Sequence, residues 1–254
     1  MGLNVSDLLT EKCFIFNGKA STDFRLICSG GGTYGAPKRA YDTVQIPGRN
    51  GSLLIDKGYY NDTEVTYDSV GFIPEEFYPF EIDQRLAAVR EWLFSPIGYK
   101  RLEDTWHPDE YRMAYISQDF SPSMVDSLEA GMVNIKFNCK PQRFLKYGEI
   151  PVVIEKGLTL FNPTSFVAFP IIMIEGKGTV TIQNEDGTFR VTVESDATVD
   201  CDMMNVYHGT ENLNSKSTFS LPSEVDKMYL GKKNVISYSD SITKLSIIPR
   251  WWRL

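Results

Sequence analysis

The sequence is poor in the residues that build metal and redox centres. Its 254 residues include two histidines and four cysteines, Cys13, Cys28, Cys139 and Cys201. No two cysteines lie at Cys-x-x-Cys spacing, which excludes zinc knuckles and thioredoxin-like redox pairs. The chain is also too long and too poor in cysteine to be a disulfide-built scaffold. We therefore expect free thiols, no metal site and no cofactor.

Long apolar runs and an excess of basic charge are missing as well. No segment approaches the ~18 consecutive apolar residues that span a bilayer, and the N-terminus lacks the charged and apolar regions of a signal peptide. We expect no membrane anchor. The 26 Lys and Arg residues are outnumbered by 33 Asp and Glu residues, giving a net charge of -7. Without a basic run, the charge pattern of a nucleic-acid binder is absent.

Residues that could carry catalysis form no recognised motif. His107 and His208 are far apart and neither has a second ligand at metal-binding spacing, which favours two surface histidines. No Gly-x-Ser-x-Gly elbow occurs. Asp200 and Asp202 share one face of a predicted strand, where a cation site and a polar sheet face are both possible interpretations. We expect the protein not to be an enzyme.

The composition is that of a folded globular protein, with 42% hydrophobic and 23% charged residues. In the first half, Asn17-Gly18 predicts a tight hairpin turn, because both residues tolerate positive φ. The segment 132–139 alternates strictly, with Val133, Ile135, Phe137 and Cys139 on the inward face. These patterns predict a β-rich N-terminal half.

One segment has the period of an amphipathic helix. Its apolar residues recur at spacings of four, three and four, at Ile82, Leu86, Val89 and Leu93. This spacing places them on one helix face, which is typical of core packing. Asp83 is the expected N-cap, and Ser95-Pro96 is expected to end the helix.

The second half has no helical periodicity. Short alternating strands recur at roughly 8–12-residue intervals, which is typical of a β-sandwich. One hairpin is expected to have a four-residue loop, Asn184-Glu185-Asp186-Gly187. Pro141 and Gly148 bracket a boundary. The predicted domains are therefore residues 1–146 and 147–254, with a linker near 146–149, and the fold class is mainly β with one helix.

A compact turn at Pro47-Gly48-Arg49-Asn50-Gly51 is the candidate site. Proline fixes φ and the two glycines permit positive φ, so the turn presents Arg49 at its tip. A second candidate is Trp251-Trp252, near the end of the chain. Exposed aromatic residues can stack on sugars or anchor protein interfaces, and the alternative is a strand end packed into the core.

A series of short motifs runs along nearly the whole chain. In order they are Phe16-Asn17-Gly18, Ile46-Pro47-Gly48-Arg49-Asn50-Gly51, Trp92-Leu93 ahead of Gly98-Tyr99, Phe137-Asn138-Cys139-Lys140-Pro141, Val199-Asp200-Cys201-Asp202 followed by Tyr207, Gly231-Lys232-Lys233-Asn234-Val235-Ile236, and Ile248-Pro249-Arg250-Trp251-Trp252. Together they resemble the distal tail protein (Dit) family of long-tailed bacteriophages. One departure is Gly231-Lys232-Lys233-Asn234, where Pro-Gly is expected before the asparagine.

The resemblance implies a structural hub at the tail tip of a virion, made in the cytoplasm of the bacterial host. Family members form a hexameric ring from their N-terminal domains. The ring lies between the tail-tube protein and a tail-associated protein, which is a tail fibre or lysin. The C-terminal domains are galectin-like β-sandwiches, which in some relatives hold receptor-binding proteins. The present chain is expected to be a short form without an inserted module.

Two interpretations of the turn follow. In one, residues Pro47 to Gly51 form a contact between subunits or between stacked rings, with Arg49 at its centre. In the other, the turn only packs within the monomer. An alternative function from another class is a carbohydrate-binding module that holds host cell-wall sugars through the C-terminal sandwich and Trp251 or Trp252.

Overall fold

The computed structural model describes residues 13–28, 35–72, 79–119, 123–125 and 130–254. The chain divides into two compact units, Met1–Arg143 with Leu254, and Phe144–Arg253. Antiparallel strands and one α-helix form most of the regular structure of the described residues. The mainly β fold with one helix, expected from the sequence, is therefore confirmed.

The first unit contains ten strands and one α-helix within its described residues. They are β1 (Phe14–Phe16), β2 (Lys19–Ala20), β3 (Leu26–Cys28), β4 (Arg39–Gln45), β5 (Ser52–Tyr60), β6 (Thr63–Phe72), α1 (Pro79–Phe94), β7 (Lys100–Asp104), β8 (Glu110–Ile116), β9 (Ser123–Val125) and β10 (Ala130–Cys139). A short 3-10 helix, Ser21–Phe24, follows β2.

Most of these strands form one sheet in the order β2-β1-β7-β8-β10-β6-β3, with β9 paired to β10. Strands β4 and β5 form a separate two-stranded hairpin. The tight turn after β1 is confirmed, since Asn17 and Gly18 have φ of 50° and 80°. The alternation of β10 is confirmed as well, because Val133, Ile135 and Phe137 are all buried in the core.

Helix α1 covers the inward face of this sheet. Val89 and Leu93 are buried as expected, and Leu86 packs against the same core, whereas the side chain of Ile82 lies outside those described. The helix ends at Phe94, ahead of Ser95-Pro96, as predicted. The expected N-cap at Asp83 is wrong, because the helix already begins at Pro79. Proline suits the first helical position, where no backbone donor is needed.

Stacked aromatic rings join the helix to the sheet. The Trp92 ring lies 4.3 Å from that of Phe24 and 5.7 Å from that of Phe14, both nearly parallel. The Phe14 ring also stacks on Tyr67 at 4.7 Å. Trp92 Nε1 donates to the carbonyl oxygen of Phe16 at 2.9 Å. The indole is thus buried with its donor satisfied, which fixes the C-terminal half of α1 on the sheet.

Thirteen strands lie at or beyond the division between the units. They are β11 (Arg143–Leu145), β12 (Val152–Val153), β13 (Thr159–Phe161), β14 (Ile171–Gly176), β15 (Gly178–Asn184), β16 (Gly187–Val193), β17 (Ala197–Asp200), β18 (Asn205–His208), β19 (Glu211–Asn212), β20 (Ser217–Ser220), β21 (Lys233–Tyr238), β22 (Ile242–Ile248) and β23 (Trp252–Arg253). Two short 3-10 helices, Lys146–Glu149 and Asn214–Lys216, accompany them.

The second unit is a sandwich of two antiparallel sheets. One has the order β12-β22-β14-β17-β18-β19 and the other β13-β21-β15-β16-β20. Both sheets contribute to a single core, in which Ile172, Val199 and Leu245 of the first sheet meet Ile182 and Val191 of the second. In β15 and β16 the apolar side chains Val180, Ile182, Phe189, Val191 and Val193 are buried in this core and alternate with more exposed polar residues.

Two local expectations need correction. Asn184 and Gly187 pair with each other across β15 and β16, so the hairpin has a two-residue loop, Glu185-Asp186, instead of four residues. The segment expected as a linker forms the 3-10 helix Lys146–Glu149, within the second unit. Its position is fixed because the carbonyl of Gly148 accepts a hydrogen bond from the Arg250 backbone at 2.8 Å.

The four cysteines are free thiols. Cys28, Cys139 and Cys201 are buried, and burial raises the pKa of Cys28 and of Cys139 to about 12. Neutral thiols of this kind act as small apolar side chains and are poor nucleophiles.

Candidate functional site

The predicted turn lies at the tip of the hairpin formed by β4 and β5. Gly48 and Gly51 have φ of 79° and 81°, in the region that favours glycine. The Arg49 backbone N–H donates to the carbonyl oxygen of Ile46 at 3.2 Å, which closes the turn. A Cβ atom on either glycine would meet no atom within 4 Å. Backbone conformation, not space, is therefore the reason for glycine at these two positions.

The hairpin is exposed along nearly its whole length. Every residue from 41 to 59 is exposed, including all five residues of the turn. Seven large apolar side chains of the hairpin are at least 40% exposed: Tyr41, Val44, Ile46, Leu53, Leu54, Ile55 and Tyr59. A two-stranded ribbon on its own is marginally stable in water. Exposed apolar residues in such numbers are typical of interaction surfaces.

One face of the hairpin carries an apolar strip. Val44 pairs directly with Leu53, and Asp42 pairs with Ile55, so these four side chains share a face. Val44, Leu53 and Ile55 are 46–47% exposed and form the strip. Asp42 on the same face is neutralised by Lys57, whose Nζ lies 2.7 Å from the carboxylate.

A charged clamp holds the base of the hairpin. Arg39 Nε lies 2.9 Å from both carboxylate oxygens of Asp56, and its guanidinium lies 5.0 Å from the centre of the Tyr60 ring. The Gly58 backbone N–H also donates to Asp56 at 3.0 Å. The Arg39 hydrogen bonds, followed by the one from Gly58, lower the pKa of Asp56. The clamp therefore joins β4 to β5 near the base of the hairpin.

Arg49 differs from the other charged residues of the hairpin. Arg39 pairs with Asp56 and Lys57 with Asp42, but Arg49 makes no ion pair within the described residues. It is exposed, at the end of the apolar strip. The tip therefore combines apolar surface with one uncompensated positive charge.

The histidines and aspartates considered from the sequence do not form a catalytic or metal site. His107 bonds to Asp104, with Nδ1 2.9 Å from Oδ1, whereas His208 lies in the other unit. Asp200 forms an ion pair with Arg250 at 2.9 Å, and Asp202 forms one with Lys227 at 3.1 Å, so both carboxylates already have a cationic partner. In the described part of the chain, no three His, Cys, Asp or Glu residues are grouped to hold a metal ion.

The tandem tryptophans serve packing. Trp251 is 4% exposed and belongs to the core of the second unit, so a sugar ring cannot reach it. The Trp252 ring stacks on Phe166 at 4.5 Å, and its Nε1 donates to the carbonyl oxygen of Val167 at 2.8 Å. Of the two interpretations, the strand end packed into the core is the one that the structure favours for Trp251.

Sequence reasoning found the turn but missed the apolar strip. The turn was singled out from the sequence, but the apolar residues on either side of it, Val44 and Leu53-Leu54-Ile55, were not. The available signal is the run of three consecutive apolar residues beside a tight turn, since such runs at exposed positions are usually functional. Within the described part of the chain, no helix has the length and apolar character needed to cross a membrane.

Comparison with known proteins gives matches at the level of structure. The sequence matches no family profile and no curated protein. The structure of SPP1 Dit (gp 19.1), a paradigm of the hub adsorption apparatus in phages infecting Gram-positive bacteria, matches with a TM-score of 0.69 and 10% identity, over 93% of this chain and 97% of that chain.

Two structures of the phage P2 baseplate in its activated conformation, with Ca and with Sr, match with TM-scores of 0.53 and 0.51. Their identities are 10% and 9%, over 93% of this chain and 96% of each of those chains. Likeness at such identity establishes the fold. The protein thus has a Dit-like phage tail hub fold, as the order of its sequence motifs led us to expect.

Proposed function

We propose that the protein is the structural hub of a long-tailed phage tail tip. In this role it forms a hexameric ring that joins the tail tube to the tail-associated proteins of host adsorption, and it resides in the virion. The observation that carries the proposal is the match to SPP1 Dit over 93% of this chain and 97% of that chain, which spans both units.

The partners proposed for the hub are a second copy of itself, the tail-tube protein, and a tail-associated fibre or lysin. A receptor-binding protein is a further partner proposed for the second unit. The exposed hairpin supports a role in assembly, since its apolar strip has no cover within the described residues. The likeness to hub and baseplate proteins also supports a structural role over an enzymatic one.

The ring is tested by negative-stain electron microscopy of the purified protein at several concentrations. We expect class averages with sixfold symmetry and a central opening. Sixfold rings that form only after addition of the tail-tube protein of the same phage also support the hub. Particles of single-subunit size with and without that protein contradict it.

Within this proposal, Pro47, Gly48, Arg49, Asn50 and Gly51 form a contact between subunits or stacked rings. The exposure of these five residues and the unpaired charge of Arg49 support the contact over packing within the monomer. Arg49→Ala is expected to weaken ring assembly without lowering the melting temperature. The control is Lys177→Ala, which removes an exposed cation from the second unit. Rings that form equally well in both variants refute the contact.

A further inference from the structure

The first unit has a second exposed apolar surface, at the end of α1. Phe94, the last helical residue, is 47% exposed, and Ile97 is 91% exposed. We call these two side chains the apolar knob. No other large apolar side chain in the described ranges is as exposed as Ile97. A pair of such residues on a short loop has the form of an anchor that inserts into a partner surface.

The knob is held rigidly. Trp92 and Leu93, immediately before it, are buried in the core, and the Ser95 backbone N–H donates to the Glu91 carbonyl at 3.0 Å. Gly98 then turns the chain into β7 with φ of 75°. Because the buried residues and the Ser95 hydrogen bond hold the loop at its helical end, less conformational entropy is lost when the knob binds.

The charges beside the two apolar surfaces are opposite. Glu91 lies one helical turn before Phe94 on the same side of α1, and it makes no ion pair within the described residues. The carbonyl groups at the end of α1 add partial negative charge at this place. At the hairpin, the unpaired charge is the positive Arg49. Each surface therefore joins an apolar patch to one charge, and the signs are complementary.

From these observations we infer that the apolar strip of one copy, Val44, Leu53 and Ile55, packs against the apolar knob of the next copy. A closed ring needs two different, complementary surfaces on every subunit, because its contacts are head-to-tail. The strip and the knob lie on different elements of one unit and meet this requirement. In the contact, Arg49 of one copy lies near Glu91 of the next. This inference rests on the ring proposed above and names its contact surfaces.

Disulfide cross-linking between two variants tests the contact. Leu53→Cys and Ile97→Cys are purified separately, mixed, and oxidised with diamide. The mixture is expected to give at least tenfold more cross-linked dimer than either variant alone. The protein without an added cysteine is oxidised in parallel, which measures any cross-linking through the partly exposed Cys13. In the matched control, Leu53→Cys is mixed with Met203→Cys in place of Ile97→Cys. The Met203 side chain lies in the second unit and is 75% exposed.

Three outcomes separate the contact from the ring itself. Dimers specific to the Leu53 and Ile97 mixture support the inference. Sixfold rings by electron microscopy without these dimers overturn the inference and leave the proposed function in place. Absence of both rings and dimers, with the tail-tube protein present or absent, overturns both.

A charge exchange tests the same contact without cysteine. Arg49→Glu and Glu91→Arg are each expected to raise the concentration at half assembly about tenfold, because each places like charges together. The two changes combined in one chain are expected to restore assembly to within about threefold of the original. Independent, additive losses in the combined variant contradict the pairing of these residues.

Discussion

Arg250 holds Asp200 with two parallel hydrogen bonds, in which Nη1 lies 3.0 Å from Oδ1 and Nη2 lies 2.9 Å from Oδ2. Arg250 has a φ of 58°, a backbone conformation that costs a non-glycine residue about 1 kcal/mol. The Asp202 N–H donates to the same carboxylate at 3.0 Å. The end of the chain is thereby tied to the end of β17, and the strained backbone is offset by charge-assisted hydrogen bonds.

Asp200→Asn is expected to lower the free energy of unfolding by about 2 kcal/mol at pH 7, since it leaves Arg250 without its ionic partner. Burial acts to raise the pKa of Asp200, but the hydrogen bonds and charge of Arg250 outweigh it and hold the pKa below 3.8. The ion pair therefore stabilises the fold fully at pH values well above 3.8, the ordinary pKa of aspartate. This stabilisation is lost as the pH falls through the lower folded-state pKa of Asp200.

Thermal unfolding from pH 7 to pH 3 measures this effect. The difference between the unchanged protein and Asp200→Asn is expected to narrow below about pH 4. Asp240→Asn is the control. Asp240 also forms an ion pair, with Lys156, but its side chain is 99% exposed. Such an exposed pair is screened by water and contributes little to stability. A difference for Asp200→Asn that is constant with pH contradicts the account.

Gly148→Ala is expected to destabilise the second unit by about 1–3 kcal/mol through overpacking. A Cβ atom at this position would lie 2.6 Å from the backbone nitrogen of Trp251. That backbone cannot move freely, because the Trp251 carbonyl accepts from the Leu145 N–H at 2.8 Å. Urea unfolding monitored by tryptophan fluorescence gives the change.

The control for Gly148→Ala is Gly209→Ala, where the added Cβ meets no atom within 4 Å. Gly209 has a φ of 58°, so its replacement is expected to cost only about 1 kcal/mol of backbone strain. Equal costs at the two glycines would show that the close approach to Trp251 is unimportant.

Glu185 and Gly231 are expected to be energetically coupled. Glu185 Oε1 accepts the Lys232 backbone N–H at 2.6 Å, and a Cβ on Gly231 would lie 2.5 Å from the same oxygen. Gly231→Ala is therefore expected to cost about 1–2 kcal/mol in the unchanged protein, because Glu185 must give up its hydrogen bond. In a Glu185→Ala background, Gly231→Ala is expected to lower the free energy of unfolding by only about 0.3 kcal/mol.

Urea unfolding of the four proteins in this cycle gives the coupling energy, expected at roughly 1 kcal/mol. Additive effects of the two substitutions would contradict the contact. The hydrogen bond to Glu185 also accounts for the absence of proline at residue 232, where Pro-Gly was expected, because residue 232 must donate its backbone N–H.

Arg39→Ala is expected to weaken assembly while leaving the melting temperature nearly unchanged. The Arg39 and Asp56 side chains are 34% and 44% exposed, so water screens the pair and its loss is expected to change the stability of the monomer little. The pair nevertheless joins β4 to β5 near the base of the hairpin. Light scattering and circular dichroism on the same samples measure both effects. Unaltered assembly would show that the clamp has no part in presenting the hairpin.

Features set by neighbouring residues could be predicted from the sequence. The turn at Asn17-Gly18 follows from the φ preferences of two residues, and the inward face of β10 follows from strict alternation. The apolar face of α1 follows from its period, but its start does not. Asp83 has the chemistry of an N-cap, yet Pro79 begins the helix four residues earlier.

Features set by distant parts of the chain could not be predicted in this way. Leu53-Leu54-Ile55 is apolar enough for a buried strand, and only the fold shows that nothing in the described residues covers it. The partners of Asp200 and Gly148 are likewise distant in sequence, at Arg250 and Trp251. Periodicity carries no information on such pairs, so their roles required the structure.

The most direct test of the hub is the mass of the protein in solution, measured by light scattering on a size-exclusion column across a range of concentrations. The account predicts a species of six times the 28.8 kDa chain mass, present throughout or growing with concentration. The measurement is repeated with the tail-tube protein of the same phage. A mass of one chain under every condition, with no complex in the mixture, would contradict the ring.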